Sequence, residues 1–243
     1  MKYKIFNIVG EVKSGTTLLG TLLDSHPNIT TIPLETKFIS HFLIKKKMND
    51  IDLLKFYLNE TRLNHLKNTK NKSTKKNFEI VNGIYKQKKF NFKKFEDLVF
   101  NSKINRHSKK RVINLIIHIH KCFELSQNKN LKKIIIIQDG NHIIKNFYKV
   151  EKTLPEIKNI FVIRNPFDIY TSLKKVNQIT KNYYFIIEKF CNNKSNLIKI
   201  SNILSKKNSN NYYFKYERLV NNPKKTMKLL CAFLKINFYH SLL

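Results

Sequence analysis

The sequence predicts a single α/β domain in which a parallel sheet is flanked by helices. One sign is a short apolar strand near residues 3–9, which leads directly into a glycine loop and a helix near 16–25, the order in which a parallel sheet begins. Another is that two later runs, near 133–138 and 159–163, are continuously apolar rather than alternating. Such runs are typical of parallel strands that helices cover on both faces.

The remaining apolar periods predict the other elements in chain order. They are a short strand near 29–32, helices near 36–47, 51–66, 92–101, 109–126, 142–152 and 167–176, a long helical stretch near 181–205, a strand at 211–216 and a last helix at 223–235. The segment 67–77 is polar and like-charged, and we expect a mobile basic surface loop within the domain. We therefore expect one domain over 1–243 with a four- or five-stranded parallel sheet.

The composition supports a folded domain. Its net charge suggests a polyanionic partner, but the types of basic residue argue against one. With 243 residues, 42% hydrophobic and 12% aromatic, the chain can bury a core, which excludes a mostly disordered protein. The net charge of +31 first suggests nucleic acid or an anionic membrane. Only five of the 47 basic residues are arginine, however, and arginine is the residue that binds bases and phosphates bidentately. Abundant lysine, asparagine and isoleucine beside a single alanine indicate A/T-rich coding bias, which we favour over polyanion binding.

Cysteine usage and hydropathy indicate the compartment. No run of about eighteen apolar residues occurs, and the first residues are too interrupted for a signal peptide, so the sequence predicts a soluble protein. The three cysteines, Cys122, Cys191 and Cys231, are far apart and lack C-x-x-C spacing, which favours a reducing, cytoplasmic setting. His118 and His120 lie in an apolar run without a nearby carboxylate, and we expect helix packing and surface roles rather than metal binding.

The segment Gly10–Thr17 has the spacing G-x-x-x-x-G between a strand and a helix. In this context backbone N–H groups and the helix N-terminus bind phosphate. A nucleoside-triphosphate loop carries lysine directly after the second glycine, followed by a Ser or Thr that holds magnesium. Here Thr16 takes that place and the lysine is Lys13, which can still neutralise charge on a bridging oxygen. The alternative is that the string serves only as a helix N-cap.

This loop and the helix after it, continuing to Asp24-Ser25-His26-Pro27, resemble the donor loop and following helix of sulfotransferases. The resemblance is strongest to the membrane-associated and bacterial branch that includes the tyrosylprotein enzymes. It implies a P-loop-type fold, 3′-phosphoadenosine 5′-phosphosulfate as the donor co-substrate, and no metal. It also implies that the donor is bound by Lys13, Ser14, Gly15, Thr16 and Thr17.

A second element follows the strand at 159–163, where Arg164 ends the strand and Ser172 lies about two turns into the next helix. This pair resembles the 3′-phosphate motif of the family, an arginine with a serine eight positions later. The resemblance implies that Arg164 binds the 3′-phosphate bidentately and that Ser172 donates a hydroxyl hydrogen bond. Further along, 213–223 resembles the strand-turn-helix beside the donor, with Tyr216 at the donor-contact position; a packed strand tyrosine is the alternative.

Glu35 lies just past the short second strand, at the carboxyl edge of the predicted sheet. The string Glu35-Thr36-Lys37 resembles the Glu-Thr-Arg of the tyrosylprotein branch, whose glutamate takes the acceptor proton. The resemblance implies that Glu35 is the catalytic base and that Lys13 is the catalytic residue at the bridging oxygen. An alcohol acceptor needs such a base, because it is a weak nucleophile until its proton is accepted. The alternative is an inert glutamate stabilised by a helix dipole.

Two features depart from the family pattern. Many relatives carry Lys-Thr-Pro after the strand that ends at Asp139, whereas this chain has Gly140-Asn141-His142. Either His142 or Lys145 substitutes for the missing lysine, or turnover is poor. The chain also stops at Leu243, where relatives continue with a segment that closes over the adenosine, so we expect a more open donor pocket.

The preferred function is sulfuryl transfer from this donor to a hydroxyl or amine acceptor. A nucleotide kinase or NTPase would use 134–139 as a strand ending in a magnesium-binding aspartate, but the position of Lys13 counts against it. A non-catalytic polyanion-binding protein is supported only by charge. The region that would form the acceptor pocket, 36–130, carries no motif, so small metabolite, glycan, lipid and peptide acceptors stay open, as does the oligomeric state.

Overall fold

A five-stranded parallel sheet of order β2-β3-β1-β4-β5 forms the centre of the described part of the chain. The computed structural model describes residues 3–32, 35–44, 47–60, 91–101, 111–127, 129–140, 143–175 and 211–243, with a few single positions between 188 and 202. The strands are β1 (Lys4–Gly10), β2 (Ile29–Thr31), β3 (Ile134–Gln138), β4 (Ile157–Ile163) and β5 (Asn211–Lys215). Since β1 pairs with β3 on one side and with β4 on the other, its carboxyl end lies where the strand order reverses.

Helices cover both faces of this sheet. They are α1 (Thr16–Asp24), α2 (Phe38–Ile44), α3 (Asp50–Glu60), α4 (Phe92–Asn101), α5 (Arg111–Ser126), α6 (Phe147–Thr153), α7 (Pro166–Lys175), α8 (Tyr216–Asn221) and α9 (Pro223–Leu234), with 3-10 turns at Ile144–Asn146 and His240–Leu242. Successive β1 residues point into different cores, because side chains alternate along a strand. Ile5 and Val9 pack with α2 to α6, whereas Phe6 and Ile8 pack with α1, α8 and α9. The predicted α/β sheet with two covered faces is therefore confirmed.

A line of asparagines crosses the buried sheet on one face. Asn7, Asn159 and Asn211 are partners in the register of β1, β4 and β5. Asn7 Nδ2 donates to Asn159 Oδ1 at 3.5 Å, and Asn159 Nδ2 donates to Asn211 Oδ1 at 3.0 Å. Asn211 Nδ2 in turn donates to Glu151 Oε1 of α6 at 3.2 Å. Because buried amides are costly when unpaired, this ladder opposes any shift of strand register.

Several element boundaries differ from the sequence expectation. Helix α2 begins at Phe38 rather than near 36, after Lys37 in the left-handed region at φ 51°. Tyr216 was expected to end the last strand, but it is the first residue of α8. The helix expected near 142–152 is a 3-10 turn followed by α6. The expectations for 67–77 and for most of 181–205 lie outside the described residues.

The two histidines of α5 are buried, so the expected packing role is confirmed for both and the expected surface role is wrong. His118 Nε2 donates to the Val99 carbonyl of α4 at 2.9 Å, and His120 Nδ1 donates to the Ile116 carbonyl at 2.8 Å. Burial lowers the pKa of His120 to about 4, which keeps its imidazole neutral at physiological pH. Both side chains thus serve packing between helices and sheet.

The asparagine ladder predicts energetic coupling between its members. Asn159→Ala would leave Asn211 Oδ1 without its donor, and we expect the free energy of unfolding to fall by about 1–3 kcal/mol. Asn211→Ala should remove the same bond, so the double variant should be less destabilised than the sum of the two by about 0.5 kcal/mol or more. Urea unfolding of the four proteins measures this coupling. Strictly additive losses would show that the ladder does not act as a unit.

Candidate active site

The Gly10–Thr17 loop joins β1 to α1 in a strained backbone conformation. Lys13 and Gly15 both have positive φ, at 65° and 102°. The Ser14 N–H donates to the Glu11 carbonyl at 3.0 Å, which closes the turn before the helix. Left-handed residues interspersed in a loop that opens a helix are the backbone pattern of an anion-binding nest. The loop therefore lies between a strand and a helix, as its glycine spacing predicted, and has the backbone pattern of an anion-binding nest.

Three distant parts of the chain meet at Tyr216. A Cβ on Gly15 would clash with Cδ2 of the Tyr216 ring, so glycine is required for this close approach as well as for its φ. The guanidinium carbon of Arg164 lies 4.3 Å from the centroid of the same ring, a cation–π contact. Arg164 Nη1 also donates to the Lys13 carbonyl at 2.9 Å. The loop, the residue after β4 and the start of α8 thus form one constellation.

Two buried polar atoms of this constellation have no hydrogen-bond partner within the described structure. They are Ser14 Oγ, in a residue 1% exposed, and Arg164 Nε. Buried polar groups are nearly always paired, because an unpaired one costs free energy. A guanidinium N–H, a loop hydroxyl and the N-terminus of α1 form a donor set that suits the oxygens of a phosphate. The residues present therefore fit a phosphorylated ligand.

The other predicted donor residues lie on the helices that begin at this edge. Thr16 is buried and Thr17 is exposed in the first turn of α1. Ser172 is half-buried in the second turn of α7, as its spacing from Arg164 predicted. His142 lies outside the described residues. Its proposed substitution for the missing lysine stays a prediction.

Asn165 connects Arg164 to two helices. Its Oδ1 accepts the N–H of Phe167 at 3.0 Å and so caps α7, whose first residue is Pro166. Its own N–H donates to Glu217 Oε1 at 2.7 Å. Sequence reasoning missed Glu217, because no local pattern shows that the first turn of α8 reaches the end of β4.

Glu35 is held at the carboxyl end of β3, the strand beside β1. The N–H groups of Thr36 and Lys37 donate to the Gln138 carbonyl at 2.8 and 3.3 Å. Glu35 Oε1 lies against Gly140, where φ is +62° and an added Cβ would be 2.5 Å from that oxygen. Since parallel strands present their carboxyl ends at one edge, Glu35 and the Lys13 loop occupy neighbouring positions on this edge.

Asp139 anchors the start of α2. Its Oδ1 accepts the N–H of Ile39 at 3.4 Å, and its Oδ2 accepts the N–H and hydroxyl of Ser40 at 2.9 and 3.1 Å. Burial raises the pKa of Asp139 to about 6, although the hydrogen bonds from Ser40 and Ile39 lower it in part. A kinase would use this aspartate for magnesium, but here its oxygens are occupied by α2 and the residue is fully buried. The geometry therefore argues against the kinase interpretation.

The chain belongs to the sulfotransferase family, whose model matches residues 5–240. Among solved structures it is similar to the sulfotransferase domain from the curacin biosynthetic pathway, with a TM-score of 0.51 and 14% identity over 100% of this chain and 78% of that one. It is also similar to the sulfotransferase domain of the Synechococcus PCC 7002 olefin synthase, with a TM-score of 0.50 and 15% identity over 100% and 78% of the two chains. Likeness at these identities shows the fold alone; the family match itself agrees with the resemblance of the loop residues. No curated protein matches the chain, and none of its described helices has the length and apolarity to cross a bilayer.

The buried Asp139 predicts a specific pH dependence of stability. Its folded pKa of about 6 lies above the ordinary 3.8, so the folded protein holds this proton more tightly than the unfolded chain does. The contribution of Asp139 to stability should therefore decrease as the pH rises from about 4 to about 6, by about 1 kcal/mol per pH unit. Asp139→Asn removes this titration.

The measurement is urea unfolding of both proteins between pH 4 and pH 7. The free energy of unfolding of Asp139→Asn relative to the unchanged protein should rise with pH up to about 6 and then level off. Asp24 and Glu124 also have raised pKa values from burial, but both proteins contain them, so they cancel in the difference. A difference that stays constant with pH would contradict the assignment.

Proposed function

We propose that this sulfotransferase family member transfers a sulfuryl group from 3′-phosphoadenosine 5′-phosphosulfate to a hydroxyl or amine of an acceptor. The observation that carries the proposal is Arg164, which is held between the Lys13 carbonyl and the Tyr216 ring with its buried Nε unpaired in the described structure. An arginine fixed beside a phosphate-binding loop is suited to a second phosphate, the group that distinguishes this donor from ATP. Family membership supports the sulfuryl transfer itself.

Different residues would bind different groups of the donor. The backbone of the Gly10–Thr17 loop and the first turn of α1 would hold the 5′-phosphate, because the N-terminus of α1 favours negative charge. Arg164 and Ser172 would hold the 3′-phosphate, and Tyr216 would border the nucleotide while supporting the guanidinium. When bound, the donor supplies an activated sulfuryl group; no metal is required for this chemistry.

Lys13 is the residue proposed to act on the oxygen that bridges phosphate and sulfur. Its ammonium would neutralise the negative charge that develops on this oxygen as the S–O bond breaks. Its backbone is fixed by the hydrogen bond from Arg164 and by the turn, at a φ of 65°. Binding of the 3′-phosphate by Arg164 would therefore help to fix the loop that carries the catalytic lysine.

Glu35 is the proposed general base on the acceptor side. It would accept the proton of the acceptor hydroxyl as that oxygen forms its bond to sulfur, while Lys13 stabilises the departing oxygen. The half-buried carboxylate lies against Gly140, and its segment is tied to β3, so the base has a defined position. The products would be a sulfated acceptor and 3′-phosphoadenosine 5′-phosphate.

The assignment of Arg164 predicts selectivity for the 3′-phosphate. We expect Arg164→Ala to weaken 3′-phosphoadenosine 5′-phosphate about 10- to 100-fold more than it weakens adenosine 5′-phosphate, because charge-assisted bonds contribute about 1.5–3 kcal/mol. Calorimetric titration of both nucleotides measures the ratio. Arg218→Ala, which removes the same charge from an exposed position on α8, should leave the ratio unchanged. Equal weakening of both nucleotides by Arg164→Ala would refute the assignment.

The assignment of Glu35 predicts a split between turnover and donor affinity. Glu35→Gln keeps the shape and removes the basicity, so we expect turnover to fall about 100-fold or more with affinity for 3′-phosphoadenosine 5′-phosphate unchanged. Intact-mass screening of acceptor libraries with the donor supplies the acceptor for this assay. An active Gln variant would shift the base to another residue of the acceptor side.

A further inference from the structure

We propose that Glu217 is a positioning residue for the 3′-phosphate site: its carboxylate holds the backbone next to Arg164 and so sets the guanidinium against the loop. This inference rests on the proposed function, in which Arg164 binds the 3′-phosphate. Glu217 itself need not touch the nucleotide.

The observation that supports this proposal is the 2.7 Å hydrogen bond from the Asn165 N–H to Glu217 Oε1. The donor and acceptor are 52 residues apart in the chain, and the distance lies at the short end of the range for an N–H···O hydrogen bond. The peptide bond is planar, so fixing the Asn165 N–H also fixes the carbonyl of Arg164 in the same plane. The direction in which Arg164 leaves the end of β4 is thereby restricted.

The residue before Glu217 supports the same arginine from a second side. Tyr216 and Glu217 are the first two residues of α8, and they follow β5, whose Lys215 is the register partner of Ile163. The ring of Tyr216 lies under the guanidinium, while the carboxylate of Glu217 holds the adjoining backbone. The turn at the end of β5 therefore contacts both the guanidinium of Arg164 and the backbone that follows it.

Two physical considerations favour positioning over direct binding. An arginine side chain that is free to rotate loses rotamer entropy when its ligand fixes it, so an arginine that is already held binds its anion more tightly. A carboxylate would repel a phosphate rather than bind it. The role of Glu217 is therefore explained by the hydrogen bond that it accepts from the Asn165 N–H. We therefore expect the length of the Glu217 side chain, rather than its charge, to influence the affinity for the 3′-phosphorylated nucleotide.

Two conservative variants separate reach from charge. Glu217→Asp keeps the charge but is one methylene shorter, whereas Glu217→Gln keeps the reach and an acceptor oxygen but removes the charge. Glu156→Asp and Glu156→Gln are matched controls, because Glu156 is exposed just before the opposite end of β4. The affinities of 3′-phosphoadenosine 5′-phosphate and adenosine 5′-phosphate are measured by calorimetry, with thermal unfolding as a check on the fold.

We expect Glu217→Asp to lower the ratio of the two affinities about fivefold or more, through the 3′-phosphorylated nucleotide alone. Glu217→Gln and both Glu156 variants should keep the ratio within about twofold. The inference is overturned if neither Glu217 variant changes the ratio, if Gln lowers it as much as Asp, or if both nucleotides weaken in parallel. An unchanged protein with no preference for the 3′-phosphorylated nucleotide would instead overturn the proposed function, and this inference with it.

Discussion

The contact on which the site depends most is the placement of Arg164 between the Lys13 carbonyl and the Tyr216 ring. It joins the loop after β1 to the turns after β4 and β5, three segments that are remote in the sequence. The same contact requires Gly15, because a side chain there would occupy the space of the tyrosine ring. The parallel sheet makes this meeting possible, since all its strands deliver their carboxyl ends to one edge.

The other half of the site is organised on β3, and the asparagine ladder connects the two halves. Asp139 holds the start of α2 and so the segment that carries Glu35. Asn7 accepts the N–H of Asp139 at 3.1 Å with its Oδ1 and donates to Asn159 of β4 with its Nδ2. A slip of strand register would therefore misplace the proposed base and the proposed phosphate ligand together, which gives the buried polar residues of the sheet a functional meaning beyond stability.

Much of this arrangement could be predicted from local sequence signals. The glycine spacing of the loop, its position between strand and helix, and the spacing of Ser172 from Arg164 each act within a few residues, and the structure reproduces them. The contacts of Glu217 with Asn165 and of Asp139 with α2 could not be predicted, because their partners are 52 and about 100 residues apart. Such pairs depend on strand order and helix packing, which apolar periodicity does not encode. The start of α8 was missed for a related reason: Tyr216 continues the strand pattern in sequence, but its position against Gly15 and Arg164 belongs to a helix start.

The central claim is that the loop and Arg164 form a site for a 3′-phosphorylated nucleotide rather than for a nucleoside triphosphate or for polyanions in general. Competitive titration with 3′-phosphoadenosine 5′-phosphate and with ATP and magnesium, each at two salt concentrations, tests it most directly. The account predicts tight binding of 3′-phosphoadenosine 5′-phosphate that ATP with magnesium does not displace. Preference for ATP with magnesium would indicate a kinase-like site, and a steep salt dependence without nucleotide preference would indicate a polyanion binder; either result would contradict the account.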